Sequence, residues 1–264
     1  MMLEQKGIVP RAVYTFDGRD FSKTEVDIIR EIPLQVFLNE RPLATIACTG
    51  LHVDELAVGY LASEGLIQKS ADIRDMQIDA GAGTIRILTD TTPAPGPSDD
   101  PFRGNIASSG ARSSLREVHQ KLPGPITQEG LRLSPEQVLQ LMDQFIGRCH
   151  LHGITRGTHG AALTDGKEIL AVREDIGRHN AIDMLAGYAL LHHLDCFDKA
   201  ILRTGRVSTE IVYKVWNMGV PVVISLSVPT AQAMQLADEA GITLIGAVRG
   251  RTMQIYTHER RIGL

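Results

Sequence analysis

Four short segments of this chain set arginine or histidine beside glycine, a pattern suited to holding a polyanion. They are Gly177-Arg178-His179-Asn180, Thr204-Gly205-Arg206-Val207-Ser208, Ala247-Val248-Arg249-Gly250-Arg251-Thr252 and Thr155-Arg156-Gly157-Thr158-His159-Gly160. A guanidinium fork pairs with phosphate oxygens and stacks on planar rings, so the set suits a nucleotide-like ligand. The candidate binding residues are Gly177, Arg178, His179, Asn180, Thr204, Gly205, Arg206 and Ser208, with His159 and the run Ala247, Val248, Arg249, Gly250, Arg251 and Thr252. Arg203 with Arg206, and Arg249 with Arg251, form local basic clusters able to hold a phosphate. Each segment alone is weak, because Gly-Arg turns are common in solvated loops. The densest stretch, residues 173–183, gathers Arg173, Glu174, Asp175, Arg178 and His179 where a strand hands over to a helix. A capping network accounts for Asp175 and Asn180 there. It accounts less well for Glu174, Arg178 and His179, which favours a functional turn.

The elements around these loops follow from periodicity. Residues 169–172 are apolar and partly β-branched, as in a buried strand, while Ala181, Ile182, Leu185, Ala186, Leu190 and Leu191 recur at helical spacing. Strand-to-helix turns in α/β folds open onto the ligand face, with backbone N–H groups free at the helix start. The last third reads as strands over 200–202, 220–226 and 242–248 separated by helices over 209–218 and 229–240, which argues for a mostly parallel sheet covered by helices. Nearer the start, strands are expected over 32–39, 43–48 and 85–89, with a helix over 53–62. Ser134-Pro135-Glu136-Gln137 is a helix start, with a serine cap, proline next and glutamine three after the cap. Residues 91–114 are rich in Pro, Gly, Ser and Asp and lack an apolar period, so a mobile loop or linker is expected there. The organisation expected is a strand-rich part over 30–130, ending in that loop, and an α/β domain over 131–264.

Composition narrows the function classes. A net charge of −4 gives no global basic field for nucleic acid or an anionic membrane. No apolar run approaches the roughly 20 residues of a membrane span, and the first residues lack a signal-peptide core, so a cytoplasmic protein is expected. The three cysteines, Cys48, Cys149 and Cys196, are odd in number and widely spaced, and form neither a disulfide framework nor a C-x-x-C pair. Cys149-His150-Leu151-His152 reads as packing at a helix end, and no resident metal is expected. No G-x-x-x-x-G-K-[ST] occurs, and no G-x-G-x-x-G follows a strand.

The motifs as a set carry a resemblance. From Glu31-Ile32-Pro33-Leu34, through Asp54-Glu55-Leu56-Ala57-Val58-Gly59-Tyr60 and Glu64-Gly65, to Tyr256-Thr257-His258, the chain resembles the formate dehydrogenase accessory family of FdhD-type sulfur carriers. The strongest matches are residues 155–163, 173–183, 204–210 and 225–230. The resemblance implies a cytidine-deaminase-like three-layer α/β fold, with a mostly parallel or mixed sheet, and a homodimer. It implies sulfur transfer from a cysteine desulfurase to the molybdenum cofactor, bis-molybdopterin guanine dinucleotide, for formate dehydrogenase. GDP would mimic part of that client. The zinc signature of true deaminases, H-x-E with P-C-x-x-C, is absent.

One departure bears on the chemistry. Sulfur-carrying members of the family have a Cys-Gly-x-Cys-Gly loop, and here the matching stretch is Ser109-Gly110-Ala111-Arg112-Ser113. Persulfide chemistry needs a thiolate, which neither Ser109 nor Arg112 can supply. The run 249–252 also departs from the family's Gly-Gly-Arg-aromatic pattern. Two functions therefore stand open: a sulfurtransferase using another thiol, or a non-catalytic chaperone that binds the molybdenum cofactor. Cys48, before the Thr49-Gly50 turn, is the one candidate stand-in, although a small buried residue ending a strand is the plainer reading.

Overall fold

The computed structural model describes residues 7–90, 124–128 and 130–263. The expected loop at 91–114, with Ser109 and Arg112, lies outside the described residues.

The described residues build three sheets. Strands β1 (Ile8–Phe16) and β2 (Phe21–Ile29) pair antiparallel as a separate ribbon. Strands β3 (Ile32–Leu38), β4 (Arg41–Cys48), β5 (Ile73–Asp79) and β6 (Thr84–Thr89) form a mixed sheet in the order β4-β3-β6-β5. The largest sheet holds β7 (His159–Thr164), β8 (Ile169–Asp175), β9 (Ala200–Arg203), β10 (Val222–Ser225), β11 (Thr243–Arg249) and β12 (Thr252–Thr257), ordered β12-β11-β10-β9-β7-β8. Its centre, β9-β10-β11, is parallel, and β7, β8 and β12 run antiparallel to their neighbours. The expected strand-helix alternation supplies the parallel half, and hairpins supply the rest.

Helices cover both faces of the large sheet because its strands alternate two apolar sets. Ile201 and Val223 face α4 (Asn180–Leu191), α5 (Thr209–Asn217) and α6 (Ala231–Glu239). Leu202, Val222 and Ile224 face α2 (Pro135–Arg148), which offers Val138, Leu141, Met142 and Phe145. Helix α2 starts as its sequence dictates: Ser134 Oγ accepts from Gln137 N at 3.2 Å, and Gln137 Oε1 accepts from Ser134 N at 2.8 Å. Three layers result, as expected for this fold class.

Helix α1 (Val53–Ser63) packs its apolar side on the four-stranded sheet and its other side on α4. At that crossing a Cβ on Gly59 would sit 1.7 Å from the Asp183 carbonyl oxygen, and one on Gly187 would sit 1.9 Å from that of Glu55. Only glycine allows such an approach. Met184 reaches from α4 into the core under α1, so one helix serves two cores.

Candidate functional site

Strand directions bring the Arg- and His-bearing loops to one edge of the large sheet. Parallel β9, β10 and β11 all end there, β7 begins there because Ala161 pairs with Arg203, and β8 ends there because His159 pairs with Asp175. Segments 155–159, 176–179, 204–208 and 247–252 therefore share an edge, the usual ligand face of such sheets.

The charged stretch 173–175 is not a turn. Arg173, Glu174 and Asp175 are the last three residues of β8, and each meets a distant partner. Arg173 pairs with Glu55 of α1, with Nη2 donating at 2.6 Å, and its guanidinium lies 5.1 Å from the Tyr188 ring centroid. Glu174 accepts from Leu151 N, His152 N and Thr158 Oγ1, which caps the short helix α3 (His150–Thr155). Asp175 accepts from Thr49 N, Thr49 Oγ1, Gly177 N and Asn180 Nδ2. Asn180 Nδ2 also donates to Ala47 O at 2.9 Å. The functional reading of Glu174 does not hold, because helix capping occupies both its oxygens. Asp175 and Asn180 join β4 to the edge, with Gly177 held against them.

Beyond this knot lies a second group of buried polar side chains. Arg203, which ends β9, is 2% exposed. Its Nε donates to Gly205 O at 3.0 Å, but Nη1 has no hydrogen-bond partner among the described residues. Burial first, and then Arg178, push it down to about 9, which leaves it cationic at neutral pH. His159 and His179 are held below the ordinary imidazole value, chiefly by burial; His159 also feels Arg203 and Arg178, and His179 feels Lys214 and Arg178. His179 is pushed down to about 3. Its Nε2 stands 3.2 Å from Glu210 Oε2 at the start of α5, but the contact is not a well-formed hydrogen bond. Glu210 is pushed up to about 7, again chiefly by burial. Both groups are thus driven toward neutrality, and the contact is no strong ion pair. Ser208, at the N-cap of α5, makes no capping bond, and its buried Oγ lacks a partner among the described residues.

Neighbouring residues set this group in place. Thr204 N donates to Gly160 O and Thr204 Oγ1 accepts from Gly160 N, each at 3.1 Å, which ties the loop after β9 to β7. Ser225 Oγ donates to Gly205 O at 2.9 Å. Lys214 is bonded to Asp183, whose carboxylate also accepts from Ser63 Oγ.

The remaining expected residues lie outside the buried group. Arg206 is exposed on the loop, and Arg178 is half-buried. Ala247 has φ 52° and donates its N–H to Ser227 O, and Val248 is in the core. Arg249, Gly250, Arg251 and Thr252 are exposed in the hairpin turn, with Thr252 Oγ1 donating to Arg249 O. Two strand spacings, about 10 Å, separate β11 from β9. The structure thus brings Arg178, His179, His159, Gly205 and Ser208 together and leaves the hairpin at the outer end of the edge. Sequence reasoning paired Arg203 with Arg206 as a basic cluster able to hold a phosphate but did not foresee its burial, and it left Glu210 out of the candidate set. A charged residue closing the apolar strand 200–202 at the ligand edge was the available signal for Arg203.

None of the three thiols is poised for chemistry. Cys48, Cys149 and Cys196 are all buried, and burial pushes the first two up to about 12 and the third to about 11. Cys48 is further disfavoured as a thiolate by neighbouring Asp175. Among the described residues no group of three or more His, Cys, Asp or Glu is placed to hold a metal ion, and no helix is long and apolar enough to cross a membrane.

Known proteins match this chain over nearly its whole length. A curated relative from Geobacillus kaustophilus, named sulfur carrier protein FdhD, is 38% identical over 96% of this chain and 96% of its own. One of the same name from Bacillus subtilis is 35% identical over 98% of this chain and 99% of its own. The fold matches a crystal structure from Desulfotalea psychrophila, described as that of a candidate formate dehydrogenase accessory protein. That match has TM-score 0.79 and 21% identity, and covers 97% of this chain and 99% of the other. Residues 29–263 match the family profile, and the chain belongs to the FdhD/NarQ family.

Proposed function

We propose that this protein serves formate dehydrogenase as a binder of the molybdenum cofactor, bis-molybdopterin guanine dinucleotide, and presents it without carrying sulfur on its own thiols. The observation that carries the reading is the gathering of Arg178, Arg206, His159 and His179 at one sheet edge with nearby Arg203. A dinucleotide offers phosphates to such cations and a planar base to a guanidinium face. Sulfur transfer from a cysteine desulfurase is the second reading, supported by the relatives' name. Here the persulfide would have to sit on the partner enzyme, since every cysteine of this chain is buried and held protonated. The setting proposed is a cytoplasmic homodimer. Calorimetry with GDP against ADP tests the binding. Saturable binding of GDP in preference to ADP is expected, and no heat at millimolar ligand, or an equal response to both, contradicts the reading.

A further inference from the structure

A guanidinium sealed from water with no carboxylate on it is costly to keep. Among the described residues Arg203, 2% exposed and with no carboxylate on it, comes near to such a group, and its surroundings make the cost larger. Its charged neighbour Arg178 is a second cation, and His159 and His179 add no negative charge. Of the nearby carboxylates, Asp183 is held by Lys214 and Ser63, and burial pushes Glu210 up toward its neutral form. Arg203 Nη1 has no partner among the described residues.

Immediately downstream, α5 begins without a side-chain cap. Ser208 Oγ is buried and unpartnered among the described residues, and the first turn of this nine-residue helix follows it. Helix starts of this kind present free N–H groups and the positive end of the macrodipole. The loop between Arg203 and Ser208 is kept slim. A Cβ on Gly205 would lie 3.2 Å from Arg203 Nη2 and 3.4 Å from His159 Nδ1, so glycine leaves the guanidinium and imidazole uncrowded. Gly205 O is fixed between Arg203 Nε and Ser225 Oγ, which holds the guanidinium in place.

We infer that Arg203, Ser208 and the first turn of α5 form a binding site for one phosphoryl group, with half-buried Arg178 as a second clamp. The ligand class is a phosphate ester or free phosphate, whose charge offsets a cation that no carboxylate among the described residues compensates. This rests on the cofactor reading only for which molecule brings the phosphate.

The test uses the full chain with inorganic phosphate, GDP and guanosine as ligands, read by thermal shift and calorimetry. Phosphate and GDP should stabilise the wild type, and guanosine should not. Arg203→Gln should abolish the phosphate response and weaken GDP about tenfold or more, the usual loss for a charge-assisted hydrogen bond. The ligand-free variant should melt no lower than wild type, since an unpaired buried charge has gone. Ser208→Ala, which leaves the core intact, should weaken phosphate several-fold and serves if Arg203→Gln does not fold. Unchanged phosphate and GDP responses in the variants overturn the site. GDP binding that depends on Arg249 and Arg251, but not on Arg203, overturns the site and leaves the cofactor reading standing. Phosphate binding through Arg203 without any GDP preference over ADP leaves the site standing and removes the cofactor reading.

Discussion

Glu210 Oε2 stands 3.2 Å from His179 Nε2, and burial drives both groups toward their neutral forms from opposite sides. Glu210 rises to about 7 from an ordinary 4.5, so the folded chain holds its proton longer than the unfolded chain does. Its contribution to stability is complete below 4.5 and is lost as pH rises through about 7. His179, lowered to about 3, contributes above its ordinary 6.5 and loses that contribution as pH falls toward 3. The slopes oppose each other in between, but the His179 slope is common to wild type and a Glu210 variant and cancels in their difference. Glu210→Gln should therefore gain stability relative to wild type as pH is raised from 4.5 to about 7, with little further change above that. Urea midpoints across that range check this, and parallel profiles would contradict the assignment.

The crossing of α1 and α4 makes a second prediction. Alanine has an intrinsic helix advantage of about 1 kcal/mol over glycine, so Gly59→Ala would stabilise an isolated helix. Here its methyl group meets the Asp183 backbone at 1.7 Å, and the helices must part. Overpacking of this kind costs about 1–3 kcal/mol and more against rigid backbone, so the sign reverses. Chemical denaturation of Gly59→Ala and Gly187→Ala should show clear losses, and a neutral result would mean the helices sit further apart.

Half-buried Arg178 lies close enough for its charge to act on His159, His179 and Arg203. Arg178→Ala should weaken GDP binding by about 1.5–3 kcal/mol while changing the unfolding midpoint little. If the variant unfolds, or binds normally, the turn after β8 is structural only.

How much of this was legible in the sequence depended on whether the deciding contacts were local. Ser134 and Gln137 cap α2 within one turn, and the cap was readable. The alternation β9-α5-β10-α6-β11 was readable because each strand is a short apolar run between amphipathic helices. Strands β1, β2 and β5 were missed: their residues are mostly exposed, so no core imprints an apolar alternation on them. Arg173, Glu174 and Asp175 looked like a turn because they are charged. They form strand because Glu55, the start of α3 and Thr49 come to meet them from far along the chain. Arg203 read as half of a local basic cluster with Arg206, and only the stacking of layers reveals that it is buried while Arg206 is exposed.

The buried thiols yield a direct chemical prediction. Native protein treated with iodoacetamide near neutral pH should keep Cys48, Cys149 and Cys196 unmodified, since both access and thiolate are lacking. The denatured chain should take up label at all three. Rapid native labelling of any one would identify a reactive site.

Cofactor binding without sulfur carriage is checked by intact-mass spectrometry after incubation with a cysteine desulfurase and cysteine. Wild type should show no added sulfur that a reductant removes, whereas the double variant Ser109→Cys, Arg112→Cys should gain it. Sulfur loading of the wild type to the level of the double variant would contradict the account.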